Sequence, residues 1–390
     1  MRQRNDVRNC VRCPHGHPMQ RRPAPSICRD RSLLIELQRF GAHDRVLVVA
    51  PHPDDESIAT GGALQLARAA GAACRVLVVT DGDNNPWPQR WDEKLWHLGP
   101  AERERWGARR RSEALAALGV LGIAPGDVRC LGLPDLGLTD ALMRGEPDVA
   151  RLLATQIGEF EPTRVFLPAL EDRHPDHSAL HVLTRLALGH WGGAPPSLYT
   201  FGVHGVADLE RSVVLTLSDA QREIKRRAIL QHATQMRLSR KRFVGYARAQ
   251  EPYREASGAG VPDASHPLQA VVTCDGRLDV AIDRQRWGRS LRGLDLFVVA
   301  DDAVARRGNR QVALTGSARG QIIDTAANRQ AGEARIDATG AILTVAIPLP
   351  SGISGGWVKL ARPVPGLFVL DRVAWQTIRR VEPEPAAVPA

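Results

Sequence analysis

Two short clusters of imidazoles and carboxylates are the parts of this sequence best equipped for chemistry. The first reads Ala50-Pro51-His52-Pro53-Asp54-Asp55-Glu56, one imidazole and three carboxylates on a turn stiffened by two prolines. Such a set suits a hard-to-borderline divalent cation, and carboxylates this dense need a counter-charge wherever they are partly buried. Taken alone it is equally a solvated acidic helix N-terminus, where the dipole favours Asp and Glu. The second cluster reads Glu171-Asp172-Arg173-His174-Pro175-Asp176-His177-Ser178-Ala179. Its two histidines are spaced i, i+3, and Pro175 fits a first helical turn. Two His-Pro-Asp clusters at equivalent places in a fold favour the metal reading. A dinucleotide is excluded, because the prolines remove amides and the carboxylates repel a pyrophosphate.

The elements around the clusters decide whether they meet. Arg45–Ala50 and residues 74–80 are apolar on both faces, as central parallel strands must be, with a helix between them over 61–70. That strand–helix–strand unit opens a doubly wound sheet, whose ligand site lies beyond the carboxyl ends of its strands. Further strands are expected at Val128–Leu133, Arg164–Pro168 and Ser197–Phe201, with helices over 32–40, 102–119, 149–160, 174–188 and 219–233. Both clusters then follow a strand, at one rim. From Leu268 to Ile378 the helical period gives way to short alternating runs separated by turn residues. The fold class is therefore α/β, a Rossmann-like doubly wound and mostly parallel sheet, followed by a smaller all-β, sandwich-like domain. The expected organisation is a disordered basic leader (1–31), the α/β domain (32–255), a linker (256–267), the β-rich accessory domain (268–380) and a disordered tail (381–390).

Composition narrows the class further. The 390 residues carry a formal charge of +9 with 43% hydrophobic residues, an ordinary globular balance. Residues 1–40 hold nine arginines against Asp6, Asp30 and Glu36, a local net of +6, so the remainder is nearly neutral. No specific nucleic acid is expected as partner. No run of ~18 apolar residues marks a transmembrane segment, which leaves peripheral membrane contact as the form open to the chain, and a cytoplasmic location is expected. Cys74 and Cys130 lie in apolar strand-like runs and read as buried free thiols. Cys10, Cys13, His15, His17 and Cys28 have zinc-ligand types, but the leader around them lacks the apolar residues a zinc module packs on.

The pair P-H-P-D-D-E and H-P-D-H-x-A resembles the PIG-L/LmbE-like zinc-dependent N-deacetylases. Gly61-Gly62, Thr80-Asp81-Gly82-Asp83, Arg109-Arg110-Arg111-x-Glu113 and the segment KRRAILQHATQ (225–235) extend the likeness over roughly residues 43–255. The resemblance implies His52, Asp55 and His177 as ligands of Zn2+, a set that another divalent transition metal would also accept. It implies Asp54 as general base and His174 as the group stabilising the oxyanion and protonating the leaving amine. Asp176 is expected to hold the His174 imidazole by its second nitrogen, favouring the imidazolium. Arg110, Asp83 and Trp87 are the expected substrate contacts. Asp83-Asn84-Asn85-Pro86-Trp87-Pro88 opens a longer loop than the family's, and Trp87, Trp91, Trp96 and Trp106 fall in it. A lid packed by its own aromatics is the favoured reading, with indoles stacked on a pyranose ring the other.

The expected function is removal of an N-acetyl group from an N-acetylglucosaminyl-type sugar or glycoconjugate. An amidase of the same fold acting on a thiol conjugate or other amide is the alternative within the class. A polyanion- or carbohydrate-binding protein is the alternative outside it. Neither the acceptor sugar nor the oligomeric state is legible in the residues.

Overall fold

The computed structural model describes residues 35–205, 212–256, 264–273, 276–302, 309–349, 353–362 and 370–380. The leader with Cys10, Cys13, His15, His17 and Cys28, most of the linker, Cys274 and the tail 381–390 lie outside the described residues. In chain order the first part comprises β1 (Ile35–Glu36), β2 (Arg45–Ala50), α1 (Asp55–Ala69), β3 (Ala73–Thr80), α2 (Pro86–Glu93), α3 (Pro100–Val120), β4 (Val128–Leu133) and α4 (Leu138–Arg144). It continues with α5 (Pro147–Phe160), β5 (Arg164–Pro168), α6 (Pro175–Trp191), β6 (Ser197–Phe201), β7 (Val213–Thr216), α7 (Asp219–Ile229), α8 (Ala233–Val244) and β8 (Gln250–Glu255).

Eight strands form one sheet in the order β1-β7-β8-β6-β5-β2-β3-β4. From β6 to β4 all pairs are parallel, and β8 runs antiparallel to both neighbours. The apolar runs explain the layering. Val46, Val48, Val76 and Val78 join one core cluster, while Leu47, Val49, Leu77 and Val79 join the other, so each central strand is covered by helices on both faces. The chain leaves β2 toward β3 on one side and returns through β5 on the other. The reversal of strand order between β2 and β5 is the switch point where a doubly wound sheet opens a crevice.

Several expected elements take a different form. Of the expected helix over 32–40, the described residues 35–40 form no helix, and Ile35 and Glu36 make the two-residue strand β1 by pairing in parallel with Val213 and Val214. Helix α1 starts at Asp55, not 61, with Asp55 and Glu56 in its first turn. The expected helix over 219–233 is two helices, α7 and α8, separated by a turn at 230–232. Cys74 is buried, and burial pushes its thiol up to about 12, whereas Cys130 is exposed on the edge strand β4.

The second part holds β9 (Leu268–Val272), β10 (Arg277–Asp283), α9 (Arg284–Trp287), β11 (Asp295–Asp302), β12 (Arg310–Ala313), β13 (Arg319–Asp324), β14 (Arg329–Thr339), β15 (Ile342–Pro348), β16 (Ile353–Ala361) and β17 (Gln376–Arg380). It is a closed barrel, not a sandwich: the strands follow the order β10-β15-β14-β13-β12-β11-β16-β17-β9, and β9 pairs back onto β10. Alternation along each strand is the same in a sandwich and a barrel, and only the non-local pairing of β9 with β17 closes the ring. Leu296, Val298, Val358 and Leu360 fill the barrel. Their neighbours Phe297, Val299 and Trp357, with Trp375, join the core of the α/β part, so β11 is apolar on both faces. No helix among the described residues is long and apolar enough to cross a membrane.

Candidate metal centre and active site

The turn after β2 is fixed by its neighbour strand: Thr80 donates to the Pro51 carbonyl from both its amide and its hydroxyl, each at 2.9 Å. His52 and Asp55 then fold back on one another, the His52 amide donating to Asp55 Oδ2 at 3.1 Å. From the end of β5 the first turn of α6 brings His177 against them. His52 Nδ1 lies 3.2 Å from Asp55 Oδ2, His177 Nε2 lies 3.2 Å from the same oxygen, and the two nitrogens are 3.3 Å apart. Three ligand atoms each ~2.0–2.1 Å from a tetrahedral ion stand roughly 3.3 Å from one another. The triangle therefore has the size of a face of such a site, and all three residues are buried. His52, His174 and His177 also bring ligand atoms within 4.8 Å of one another, as do His52, Asp135 and Asp176.

The far nitrogen of each imidazole meets a carboxylate. His177 Nδ1 is 3.1 Å from Asp172 Oδ2, and His52 Nε2 is 3.1 Å from Asp135 Oδ1 and 3.3 Å from Asp176 Oδ2. Carboxylates behind ligating histidines fix the ring orientation and raise its basicity. Burial opposes charge on His177, but Asp55 and Asp172 outweigh it and lift the imidazole to about 10. Asp172 is a hub, accepting also from the amides of His174, Val203 and His204.

Asp54 stands beside the triangle in an unusual backbone conformation, φ 149 and ψ −29 at the N-cap of α1. Non-glycine residues held at such angles cluster at functional sites. Its amide donates to Glu56 Oε2 at 2.9 Å, and Glu56 Oε1 in turn lies 3.0 Å from His232 Nε2, so the third carboxylate of the motif supports the turn rather than the triangle. Burial raises the Asp54 carboxyl to about 6, against the pull of the Arg110 guanidinium.

Arg110 is buried and donates to Gly82 O at 2.6 Å, Pro53 O at 2.8 Å and Asp54 Oδ2 at 3.1 Å. It lines the pocket, but its bonds go to the first motif and the turn after β3. Gly82 permits this approach: its φ is +60, and a Cβ there would collide with the Arg110 guanidinium. Gly82→Ala is expected to cost about 1–3 kcal/mol through backbone strain and displacement of the guanidinium, measured by denaturant unfolding. A variant as stable as the parent would show that Arg110 has room to move.

His174 is the N-cap of α6, and its Nδ1 accepts from the Asp176 amide at 3.3 Å. The Asp176 carboxylate does not hold this ring. It accepts from the amides of Leu136 and Leu138 and faces His52, because the cap geometry turns the side chain at the second helical position toward α4. Burial, with His52 and His177 nearby, pushes His174 well below the ordinary histidine range. That shift favours a neutral ring over the expected imidazolium, and with Nδ1 accepting, the proton of a neutral ring sits on Nε2.

A cavity of about 180 Å3 opens over the triangle, walled by Asn85, Leu136, Val203, His204, Gln235 and Tyr246 among others. Asp83 and Trp87 are not in its wall. Trp87, Trp91 and Trp96 are 65%, 75% and 85% exposed, and of the four tryptophans in this stretch Trp106 alone is buried. The lid is therefore not packed by its own aromatics. Asp135 and His204 are the site residues that sequence reasoning misses, because each stands alone with no local spacing. The position of Asp135 just beyond the end of β4 is the one signal that points to it.

A doubly wound α/β sheet with a buried His/Asp cluster at its switch point, able to hold a divalent ion, is the class this fold and site define. Residues 47–188 match the PIG-L family model, described as GlcNAc-PI de-N-acetylase. Among curated relatives, the 1D-myo-inositol 2-acetamido-2-deoxy-alpha-D-glucopyranoside deacetylase of Mycobacterium sp. (strain KMS) is 32% identical over 170 residues, 40% of this chain and 53% of that protein. The 2'-N-acetylparomamine deacetylase of Streptomyces fradiae is 30% identical over 202 residues, 47% of this chain and 66% of that protein. The chain thus spans about half the length of the first curated relatives it matches. The solved conserved protein TT1542 of Thermus thermophilus is 25% identical, with 57% of this chain and 97% of that one covered at a TM-score of 0.43.

Proposed function

We propose that this protein removes the N-acetyl group from an N-acetylglucosaminyl-type sugar or glycoconjugate, with a divalent metal ion held by His52, Asp55 and His177. The observation that carries this reading is the 3.2–3.3 Å triangle of those three ligand atoms, with Asp54 and His174 on its open side. The matched relatives support the substrate class, since both are named as deacetylases of N-acetylated amino-sugar compounds. Zinc, or iron or cobalt in its place, would polarise the amide carbonyl and acidify a water.

The chain's own residues do the rest. Asp54, at about 6, is ionised at neutral pH and basic enough to take the water's proton. The neutral His174 donates its Nε2–H to the oxygen that becomes an oxyanion as water adds to the carbonyl carbon. When the C–N bond breaks, the leaving nitrogen takes the proton that Asp54 accepted, giving acetic acid and the amine, which then share a proton as acetate and ammonium. His174 is a donor here and not the acid, because a neutral ring that lost Nε2–H would become an anion.

The test is acetate release from a panel of N-acetylated sugars and glycoconjugates, lost after chelation and restored by added zinc. No acetate from any member with metal restored would overturn the reading, and release of a larger acyl group from a thiol conjugate would replace it with the amidase.

Arg110 supplies a sharper check. Removing a cation 3.1 Å from Asp54 raises that carboxyl further, so Arg110→Gln should move the acidic limb of the pH–rate profile upward by about 1 unit or more. A raised KM with an unmoved limb would return Arg110 to the substrate.

A further inference from the structure

The loop that delivers His174 is held from two sides. On its inner side Asp172 collects the amides of His174, Val203 and His204 and the His177 ring. On its outer side the next residue, Arg173, reaches the barrel part: the Asp371 amide donates to the Arg173 carbonyl at 2.7 Å, and Arg173 Nε donates to the Asp371 carbonyl at 3.2 Å. Two reciprocal bonds to one residue make a strap rather than a chance touch. Its anchor is also built. The Asp371 carboxylate pairs with Lys359, a β16 residue 1% exposed whose ammonium lies 5.6 Å over the Trp375 ring. Trp375 and Trp357 share a core cluster with Leu170 of the same loop. A buried lysine is costly unless paired, so this one marks a fixed geometry.

We propose that the barrel is part of the active-site scaffold, its Asp371 strap holding the Arg173 backbone and so setting where the His174 imidazole points. Arg173, Asp371 and Lys359 are positioning residues; none of them lines the cavity. The inference rests on the proposed role of His174. Displacing a catalytic group by about 1 Å can cost about 100-fold in rate, and releasing one side of a two-sided clamp should cost part of that.

The experiment uses the full chain. Arg173→Ala removes an exposed side chain, and Lys359→Met removes the anchor while keeping the shape of its stem. The double variant should lose about 10-fold in kcat with KM and bound metal unchanged. Arg173→Lys should recover most of the Arg173→Ala loss, and amide exchange should rise over 171–174 but not in β2 or β5. Should Lys359→Met unfold the barrel, Arg173→Ala alone carries the test. Unchanged kcat and unchanged exchange would overturn the proposal, as would equal loosening of the whole chain. If the parent protein deacetylates nothing, the functional reading fails, while exchange over 171–174 still decides whether the strap holds the loop.

Discussion

Asp54→Asn is expected to keep the metal and lose about 10²–10⁴-fold in turnover, the usual cost of removing a general base. Its carboxylate stands outside the ligand triangle and is held by Arg110 at 3.1 Å. The amide nearly conserves volume, so the turn should stand, but it cannot accept a proton. The pH profile gives a second readout. With Asp54 at about 6, activity in the parent falls as the pH drops through 6, because the protonated carboxyl is no base. In the Asp54→Asn variant that limb should vanish. If the variant instead empties the metal site, Asp54 is a ligand; if turnover is near normal, the general-base mechanism is wrong for this protein.

His177→Ala should empty the site and abolish activity. It removes one corner of the triangle and leaves Asp172 without the imidazole between it and Asp55. Two remaining ligands hold a divalent ion weakly. Asp55→Asn should weaken affinity less, since an amide oxygen is a poor but possible donor. Elemental analysis of the purified variants measures both, and full occupancy in His177→Ala would remove that residue from the ligand set.

Legibility in the residues depends on how far each feature lies from its own partners. The two motifs can be placed on one rim because each follows an apolar strand directly, and β2 and β5 are indeed adjacent. Within the motifs, identity can be read but not direction. The Asp176 carboxylate turns to α4 and His52, a choice made by the cap of α6 and by two amides some forty residues earlier. Asp135 and His204 reach the site from separate loops and leave no spacing to read. The barrel reads as a sandwich for the same reason, since closure is a decision between strands at opposite ends of the β-rich part. The run 296–300 shows the effect in small: its unbroken apolarity reflects burial between the barrel interior and the α/β core.

Closure through β17 also has a consequence for synthesis. The ring pairs its earliest strand, β9, in parallel with its latest, so β9 and β16 keep unpaired edges until residues 376–380 have left the ribosome. A nascent chain that stalls or is clipped before that point carries two open β-edges of a kind that recruit other chains. The last strand is short, yet it separates a closed barrel from an intermediate with open edges. Truncation into β17 should therefore be tolerated far less well than the length of that strand implies.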